Sequence, residues 1–195
     1  MLINTALKEW SIAVDAIAQG TQVILLRKGG IKEDQGRFRT QSDQVVLFPT
    51  FEHQKPELLK SDYKGFNYQN SVLPVASGWH PEKITLKVWA QITDIFLTTA
   101  ADQVSALSDF HIWQPQLATE RLQWKPKQPL YILALRAYQL SVPVEIVWNS
   151  ALYGGCRSWV PLDQPIEGST DHPAIDSDSY NTQIKKIKEI ISDRS

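Results

Sequence analysis

The order of apolar and polar residues near the N-terminus predicts a helix followed by a strand. Four apolar residues at helical spacing would form one buried face: Leu7, Trp10, Val14 and Ile17. We expect Gly20 to end this helix, because glycine adopts a left-handed turn at little cost. Residues 23–26 then form an unbroken apolar run, which is typical of a strand that is buried on both faces.

Patterns typical of β-strands dominate the rest of the chain. Apolar and polar residues alternate from Lys83 to Thr93, which predicts a strand with one buried and one solvated face. Shorter apolar runs predict strands at residues 45–48, 130–138, 144–148 and 156–160. Before residue 163, further helices are predicted after Pro56 and at residues 100–107, so strands and helices do not alternate regularly. We therefore expect an α+β fold, a small mixed β-barrel with peripheral helices.

The globular part is expected to be a single α+β domain that covers residues 1–162. Residues 163–195 lack a clear apolar period and carry more acidic than basic side chains. We interpret them as a flexible acidic tail. A short helix at the end of this tail is compatible with the spacing of its isoleucines, which are Ile184, Ile187, Ile190 and Ile191.

Composition excludes several classes of site. The 195 residues include one cysteine, so neither an intramolecular disulfide nor a cysteine-based metal site is expected. The net charge of -1 gives no overall electrostatic signature of nucleic-acid binding. No apolar run approaches the roughly 20 residues that are needed to cross a bilayer. We expect a cytoplasmic protein with no membrane partner, no metal and no cofactor, and the sequence does not indicate its oligomeric state.

Basic residues next to paired glycines are the strongest candidates for binding a ligand. Arg27 and Lys28 precede Gly29–Gly30, and Arg157 follows Gly154–Gly155. Guanidinium groups and the backbone N–H groups of such turns both bind phosphate or carboxylate. If the first and last strands are neighbours in a closed barrel, the two positions share one anion-binding pocket. The alternative is a simple glycine turn at a solvated strand end.

The ligand-binding prediction combines these basic residues with polar and aromatic neighbours. Its members are Arg27, Lys28, Gln54, Tyr153, Arg157 and Ser158. Aromatic side chains stack on nucleobases in proteins that bind single strands, and the candidates for this role are Trp79, Trp89, Tyr153 and Trp159. Tryptophan in a strand also serves as core packing, and this alternative stays open.

A catalytic hypothesis involves Glu52, His53 and Cys156. Imidazole titrates near neutral pH and a carboxylate can orient it, which suits Glu52 and His53 to general acid–base catalysis. Cys156 paired with a histidine would be an activated nucleophile. The alternative is structural, because adjacent residues on an extended backbone point to opposite faces and a lone cysteine is more often a buried packing residue.

Four blocks of sequence carry a resemblance to a known family. They are ALKEW at residues 6–10, ILLRKGGI at residues 24–31, LFPTFEHQ at residues 47–54 and YGGCRSWVPL at residues 153–162. These blocks resemble the uncharacterised, mainly cyanobacterial family catalogued as domain of unknown function 1802. The resemblance implies no activity, because none is assigned to that family.

Residues 20–27 partly match a second motif, G-x-K-x-x-E-x-R. Gly20 and Arg27 occupy its first and last positions, whereas Gln22 replaces the lysine and Leu25 replaces the glutamate. The motif follows a helix in small RNA-linked barrels of the ASCH and pseudouridine-synthase–archaeosine-transglycosylase (PUA) type, which this segment resembles. The resemblance implies a PUA-like barrel with a link to RNA, and the two replacements argue against base hydrolysis.

These residues favour nucleic-acid binding, with RNA or a modified base held in a basic, aromatic-lined pocket. The expected partner is RNA or a nucleotide. One alternative is an enzyme of the hydrolase or glycosylase type that acts on a nucleobase or nucleotide. Another is a protein–protein interaction module.

Overall fold

The structure, a computed structural model, describes residues 1–28, 32–34, 37–52, 56–63, 75–76, 78–155 and 157–192, with residues 32–34, 37–39 and 56 as backbone only. In these ranges the strands are β1 (Leu2–Trp10), β2 (Ile24–Arg27), β3 (Lys32–Asp34), β4 (Arg37–Arg39), β5 (Gln44–Thr50), β6 (Lys83–Thr98), β7 (Leu130–Val147) and β8 (Trp159–Glu167). The α-helices are α1 (Ser11–Ala18), α2 (Ala101–Ala106), α3 (Pro115–Gln123), α4 (Ser150–Tyr153) and α5 (Ser177–Ser192). Short 3-10 turns lie at Pro56–Leu58, Ser61–Tyr63 and Leu107–Phe110. None of these helices is both long and apolar enough to cross a membrane.

A six-stranded mixed sheet organises the fold, in the order β2-β7-β6-β5-β1-β8. β1 and β5 are parallel, and every other pairing in this sheet is antiparallel. β3 and β4 form a separate two-stranded antiparallel sheet. The α+β class is thus confirmed. Within the described residues no pairing joins β2 to β8, so the hydrogen-bonded sheet is open and does not form a closed barrel.

The central strands are longer than the sequence pattern predicts. β7 joins the two strands expected at residues 130–138 and 144–148, and β6 pairs with it along nearly its whole length. Pro143 does not interrupt β7, because the second neighbour of β7, the short strand β2, pairs only with residues 131–134. The β6–β7 register shifts at two points, between Leu86 and Val88 and between Ile92 and Asp94. Such irregularities bend strands, which lets the sheet curve around its core.

The N-terminal helix begins later than predicted. Leu7 and Trp10 lie in β1, and only the second half of the expected stripe, which includes Val14, is in α1. β1 is fully paired between β5 and β8, and these contacts with distant strands outweigh the helical spacing of its apolar residues. Gly20 follows α1 with a φ of 73°, and a Cβ atom there would collide with Cγ2 of Ile175. Glycine is therefore required here for two reasons: the backbone has a positive φ, and there is no room for a side chain.

The C-terminal segment is ordered, so the expectation of a flexible acidic tail is wrong. β8 extends to Glu167, and α5 packs on the core through Tyr180, Ile184 and Ile187. The Arg136 guanidinium donates a hydrogen bond to the carbonyl of Asp176 at 3.1 Å, just before α5 begins. The helix suggested by the isoleucine spacing is present. Its few apolar residues fall on one face, and that face joins a hydrophobic cluster that includes residues of β2, β7 and α2.

Substitution of Ile187 tests whether α5 belongs to the core. Ile187 is fully buried, and we expect Ile187→Ala to lower the free energy of unfolding by about 2–5 kcal/mol because it leaves a cavity. Urea denaturation followed by circular dichroism measures this change. Lys186→Ala, at an exposed position of the same helix, is the matched control and should stay within about 0.5 kcal/mol of the unmodified protein. Equal, small effects of both substitutions would contradict the packing of α5.

Candidate functional site

A cavity of about 690 Å³ lies where several strand ends meet. The parallel pairing of β1 with β5 puts Trp10 beside Thr50, and β8 begins next to Leu7 in β1. The ends of β2 and α3 and the connection between α4 and β8 contribute further walls. Residues 78–80, the start of β6 and the residues between β7 and α4 complete the described lining. We call this cavity the cationic cleft, after the basic residues that line it: Lys8, Arg27, Lys28, Arg121, Lys125 and Arg157.

The described lining of the cationic cleft carries an excess of positive charge. Its six basic side chains are accompanied by two carboxylates, those of Glu9 and Glu52. An excess of one sign of charge on a concave surface concentrates ligands of the opposite sign. The cleft is therefore suited to a negatively charged ligand.

Arg27 connects the end of β2 to the end of β1. Its Nη1 donates hydrogen bonds to Oε2 of Glu9 at 3.0 Å and to the carbonyl of Lys8 at 3.2 Å. The side chains of Arg27 and Glu9 are only 11% and 7% exposed. Burial lowers the pKa of Arg27, Glu9 raises it and the neighbouring Arg121 lowers it. A guanidinium titrates so far above neutrality that Arg27 stays charged, and Glu9 compensates its charge only locally.

Among the described residues, Lys28 and Arg121 are held by backbone carbonyls and not by carboxylates. The Lys28 ammonium donates to the carbonyl of Gln128, and Arg121 Nη1 donates to the carbonyl of Leu26 at 2.6 Å. The Arg121 guanidinium also lies over the Trp10 ring, 5.7 Å from its centroid. Burial lowers the pKa of Lys28, so its positive charge is poorly solvated. These contacts fix the two cations in position, but carbonyl groups do not neutralise their charge. A bound anion would offset the free-energy cost of keeping these charges away from water.

Arg157 enters the same cleft from the other end of the chain. Its Nη2 donates to the carbonyl of Ala151 at 2.8 Å and to that of Gly154 at 3.3 Å, at the C-terminus of α4. Arg27 and Arg157 thus line one cavity. β8 pairs with β1, and the end of β1 accepts a hydrogen bond from Arg27, so both arginines reach the same cavity. Closure of a barrel is not needed for this.

Aromatic side chains line the cationic cleft together with the basic residues. Trp79 is 45% exposed and Trp124 is 59% exposed, and they are the only exposed aromatic side chains in the described part of the protein. Phe51 supports Trp79 through an edge contact at a centroid distance of 5.8 Å. His80 stacks on Trp148 at 4.0 Å. Large aromatic surfaces left open to solvent beside cations are suited to planar, anionic ligands.

The indole N–H of Trp148 is an unused hydrogen-bond donor. Its Nε1 atom is buried and has no hydrogen-bond partner among the described residues, although Trp148 lines the cationic cleft. Buried donors are normally paired, and an unpaired one carries a desolvation cost. In the described structure, the wall of the cleft thus contains a buried donor without a partner.

The turn after α3 contains a strained residue. Lys125 has a φ of 52° and is the only non-glycine residue with a positive φ in the described ranges. Its ammonium lies 4.6 Å from the ring centroid of Trp124. Backbone strain of this kind is found preferentially at functional sites. Here it accompanies the most exposed tryptophan and a cation of the cleft.

The cleft contains five of the predicted site residues, which are Arg27, Lys28, Glu52, Arg157 and Ser158. His53, Gln54 and Cys156 lie outside the described residues. The catalytic hypothesis for Glu52, His53 and Cys156 therefore stays a prediction.

Three of the predicted aromatic contacts are core residues. Trp89, Tyr153 and Trp159 are at most 7% exposed, and none of them lines the cationic cleft. The ring of Tyr153 packs against Phe48 at 5.1 Å, and its carbonyl accepts a hydrogen bond from the Lys8 ammonium at 2.7 Å. Tyr153 therefore contacts a cleft residue through its backbone. Of the four aromatic candidates, Trp79 alone lines the cleft.

Sequence reasoning missed several charged and aromatic cleft residues, which are Lys8, Glu9, Trp10, Phe51, Arg121, Trp124, Lys125 and Trp148. A usable signal existed for Trp124, because it lies in a polar stretch between Arg121 and Lys125. A tryptophan in such a stretch has few apolar neighbours to pack against. No such signal distinguishes Trp148, which directly follows a strand.

The two departures from the G-x-K-x-x-E-x-R motif have structural roles. Gln22 is buried, donates from Nε2 to the carbonyl of Ile24 at 2.9 Å, and accepts the N–H of Ile112 at 3.3 Å. Leu25 is part of the hydrophobic core. Neither position offers a titratable group to the cleft.

A larger cavity, of about 840 Å³, lies between β8 and the second half of β7. Its charged lining is acidic and consists of Glu145, Asp163, Glu167 and Asp171. This acidic cavity would repel an anionic ligand, whereas the cationic cleft would attract one.

In the part of the chain that the structure describes, no group of three or more histidine, cysteine, aspartate or glutamate residues is placed to hold a metal ion.

Comparison with known proteins identifies a family. The family model described as Domain of unknown function (DUF1802) matches residues 6–186. No curated protein matches the chain. A crystal structure of a mutant ZmASCH protein from Zymomonas mobilis is similar, with 10% sequence identity, a TM-score of 0.43 and coverage of 96% of each chain.

His111 and Trp113 support one wall of the cleft. The ring of Trp113 contacts that of Trp10 edge to face at 5.2 Å, and the backbone N–H of Trp113 donates to Nδ1 of His111 at 3.2 Å. His111 is almost fully buried. This burial, together with the positive charge of Lys60, lowers the pKa of His111 to about 4.

Stability should depend on pH through His111. In the unfolded chain His111 protonates near pH 6.5, so between about pH 6.5 and 4 the unfolded state binds more protons than the folded state. The neutral His111 therefore adds to the free energy of unfolding in full above pH 6.5, and this addition is lost as the pH falls towards 4. It amounts to about 3 kcal/mol at most. In His111→Asn, the Oδ1 atom can accept the same N–H, and this variant should lose less stability on acidification. Urea denaturation at both ends of the interval measures the difference, and identical losses would contradict the assignment.

Proposed function

Because the chain belongs to the DUF1802 family, whose description assigns no activity, we propose its function from the cationic cleft: the protein binds single-stranded nucleic acid, with RNA as the expected ligand. One observation carries the proposal. The two exposed tryptophans of the described structure, Trp79 and Trp124, lie in the same cavity as its six basic side chains.

The basic side chains suit the phosphate groups of a nucleic acid. Lys28 and Arg121 are fixed by backbone carbonyls, and Arg157 is fixed at the end of α4. Cations that are already ordered lose little conformational entropy when a phosphate arrives. Phosphate contacts supply affinity without sequence preference.

The aromatic side chains suit unpaired bases. Bases in a duplex are already stacked on each other, whereas single-stranded bases are free to stack on protein side chains. Trp79 and Trp124 offer such surfaces, because both are exposed in the cationic cleft. RNA is the expected form because unpaired loops and ends are the usual targets of proteins that read RNA.

The tryptophan at the edge of the cleft gives the first test of binding. We expect Trp124→Ala to weaken the binding of a fluorescein-labelled single-stranded RNA by roughly 5- to 100-fold, the effect of losing one stacked base. Fluorescence polarisation at low and physiological salt measures the dissociation constant. Val142→Ala, which shortens an exposed apolar side chain outside the cleft, is the control and should bind like the unmodified protein. Absence of RNA binding, or equal affinity of both variants, would contradict the proposal.

Lys125 allows stability and binding to be separated. We expect Lys125→Gly to raise the free energy of unfolding by up to about 1 kcal/mol, because glycine adopts a positive φ without strain. The same change should weaken RNA binding and reduce the slope of log affinity against log salt by about 0.7, because one phosphate contact is lost. Thermal unfolding and a salt titration measure the two effects. Lys127→Ala, which removes a nearby exposed charge that does not line the cleft, should leave the salt slope almost unchanged.

A further inference from the structure

A smaller cavity adjoins the cationic cleft. It has a volume of about 390 Å³ and shares four lining residues with the cleft: Trp10, Lys28, Arg121 and Trp124. Its other lining residues are Leu58, Leu117 and Glu120, and we call it the side cavity. The two cavities are therefore separated by side chains that face both of them.

The side cavity is lined by the kinds of side chain that surround a nucleobase in a binding site. Leu58 and Leu117 are buried and form apolar lining, while the rings of Trp10 and Trp124 add aromatic surface. Glu120 is its one carboxylate among the described residues, and this carboxylate accepts a hydrogen bond from Gln116 at 2.8 Å. An apolar, aromatic lining with few polar groups is typical of sites for planar organic ligands.

The boundary between the two cavities is positively charged and ordered. Arg121 lies over the Trp10 ring and donates to the carbonyl of Leu26, and Lys28 donates to the carbonyl of Gln128. Neither of these cations forms a salt bridge with a carboxylate in the described structure. Because Lys28 and Arg121 line both cavities, a phosphate at this boundary would lie in a positively charged environment.

We propose that the ligand spans both cavities, with one base in the cationic cleft, the next base in the side cavity and the linking phosphate at Lys28 and Arg121. This inference rests on the proposed function and specifies its ligand class, which is a strand of at least two nucleotides. A single nucleotide can occupy only one of the two cavities. It therefore forgoes the stacking that the other cavity offers.

Competition between two small ligands tests the inference on the unmodified protein. The 5′-phosphorylated dinucleotide of adenosine has two bases and two phosphates, whereas adenosine 3′,5′-bisphosphate has one base and two phosphates. We expect the dinucleotide to displace labelled RNA at a concentration about tenfold or more below that of the bisphosphate, the effect of one additional stacked base. Equal potency of the two compounds would overturn the inference while leaving nucleic-acid binding intact. If no labelled RNA binds at all, the proposed function itself fails.

A substitution in the side cavity locates the second base. We expect Leu117→Phe to fill part of the side cavity and to reduce the potency of the dinucleotide to nearly that of the bisphosphate, whose potency stays unchanged. Gln123→Ala, at an exposed position of the same helix outside both cavities, should preserve the difference between the two ligands. Thermal unfolding confirms that each variant is folded. A folded Leu117→Phe protein that keeps the full preference for the dinucleotide would overturn the placement.

Discussion

The buried ion pair of Arg27 and Glu9 is the interaction on which both the fold and the cleft depend. β2 and β1 do not pair as strands in the described structure, and this ion pair holds their ends together. Its charges are well satisfied, because Glu9 also accepts the N–H of Trp10 and Arg27 also donates to the carbonyl of Lys8. Loss of one partner of such a buried pair costs about 3–5 kcal/mol. The residue that joins two strand ends is thus also one wall of the anion-binding cavity.

The other cations of the cleft are positioned mainly by uncharged groups. Backbone carbonyls hold Lys28, Arg121 and Arg157, so their positive charges are ordered but not cancelled. This arrangement favours an anion that enters the cleft, because little reorganisation is needed on binding. Lys125 is also fixed in position before a ligand binds. Its positive φ is locally unfavourable, and in this conformation its ammonium lies beside the ring of Trp124.

Local sequence patterns predicted helices and strands well where the apolar positions of the pattern are the positions that the structure buries. The alternation after Lys83 corresponds to a strand, and Gly20 ends a helix at the expected residue. The prediction was wrong for residues 7–10, where pairing with β5 and β8 outweighs helical spacing. It was also wrong for the acidic C-terminal segment, because the core offers an apolar surface to α5 that no local pattern reveals.

The sequence by itself determined the chemical types available to a site: basic residues near paired glycines, many aromatic residues and a single cysteine. The tertiary structure decided which of them meet. Trp89 and Trp159 are buried and Trp124 is exposed, because burial depends on which strands and helices cover a position. Arg27 and Arg157 line one cavity because β8 pairs with β1, and hydrogen bonding between segments so distant in sequence is not encoded in any local pattern.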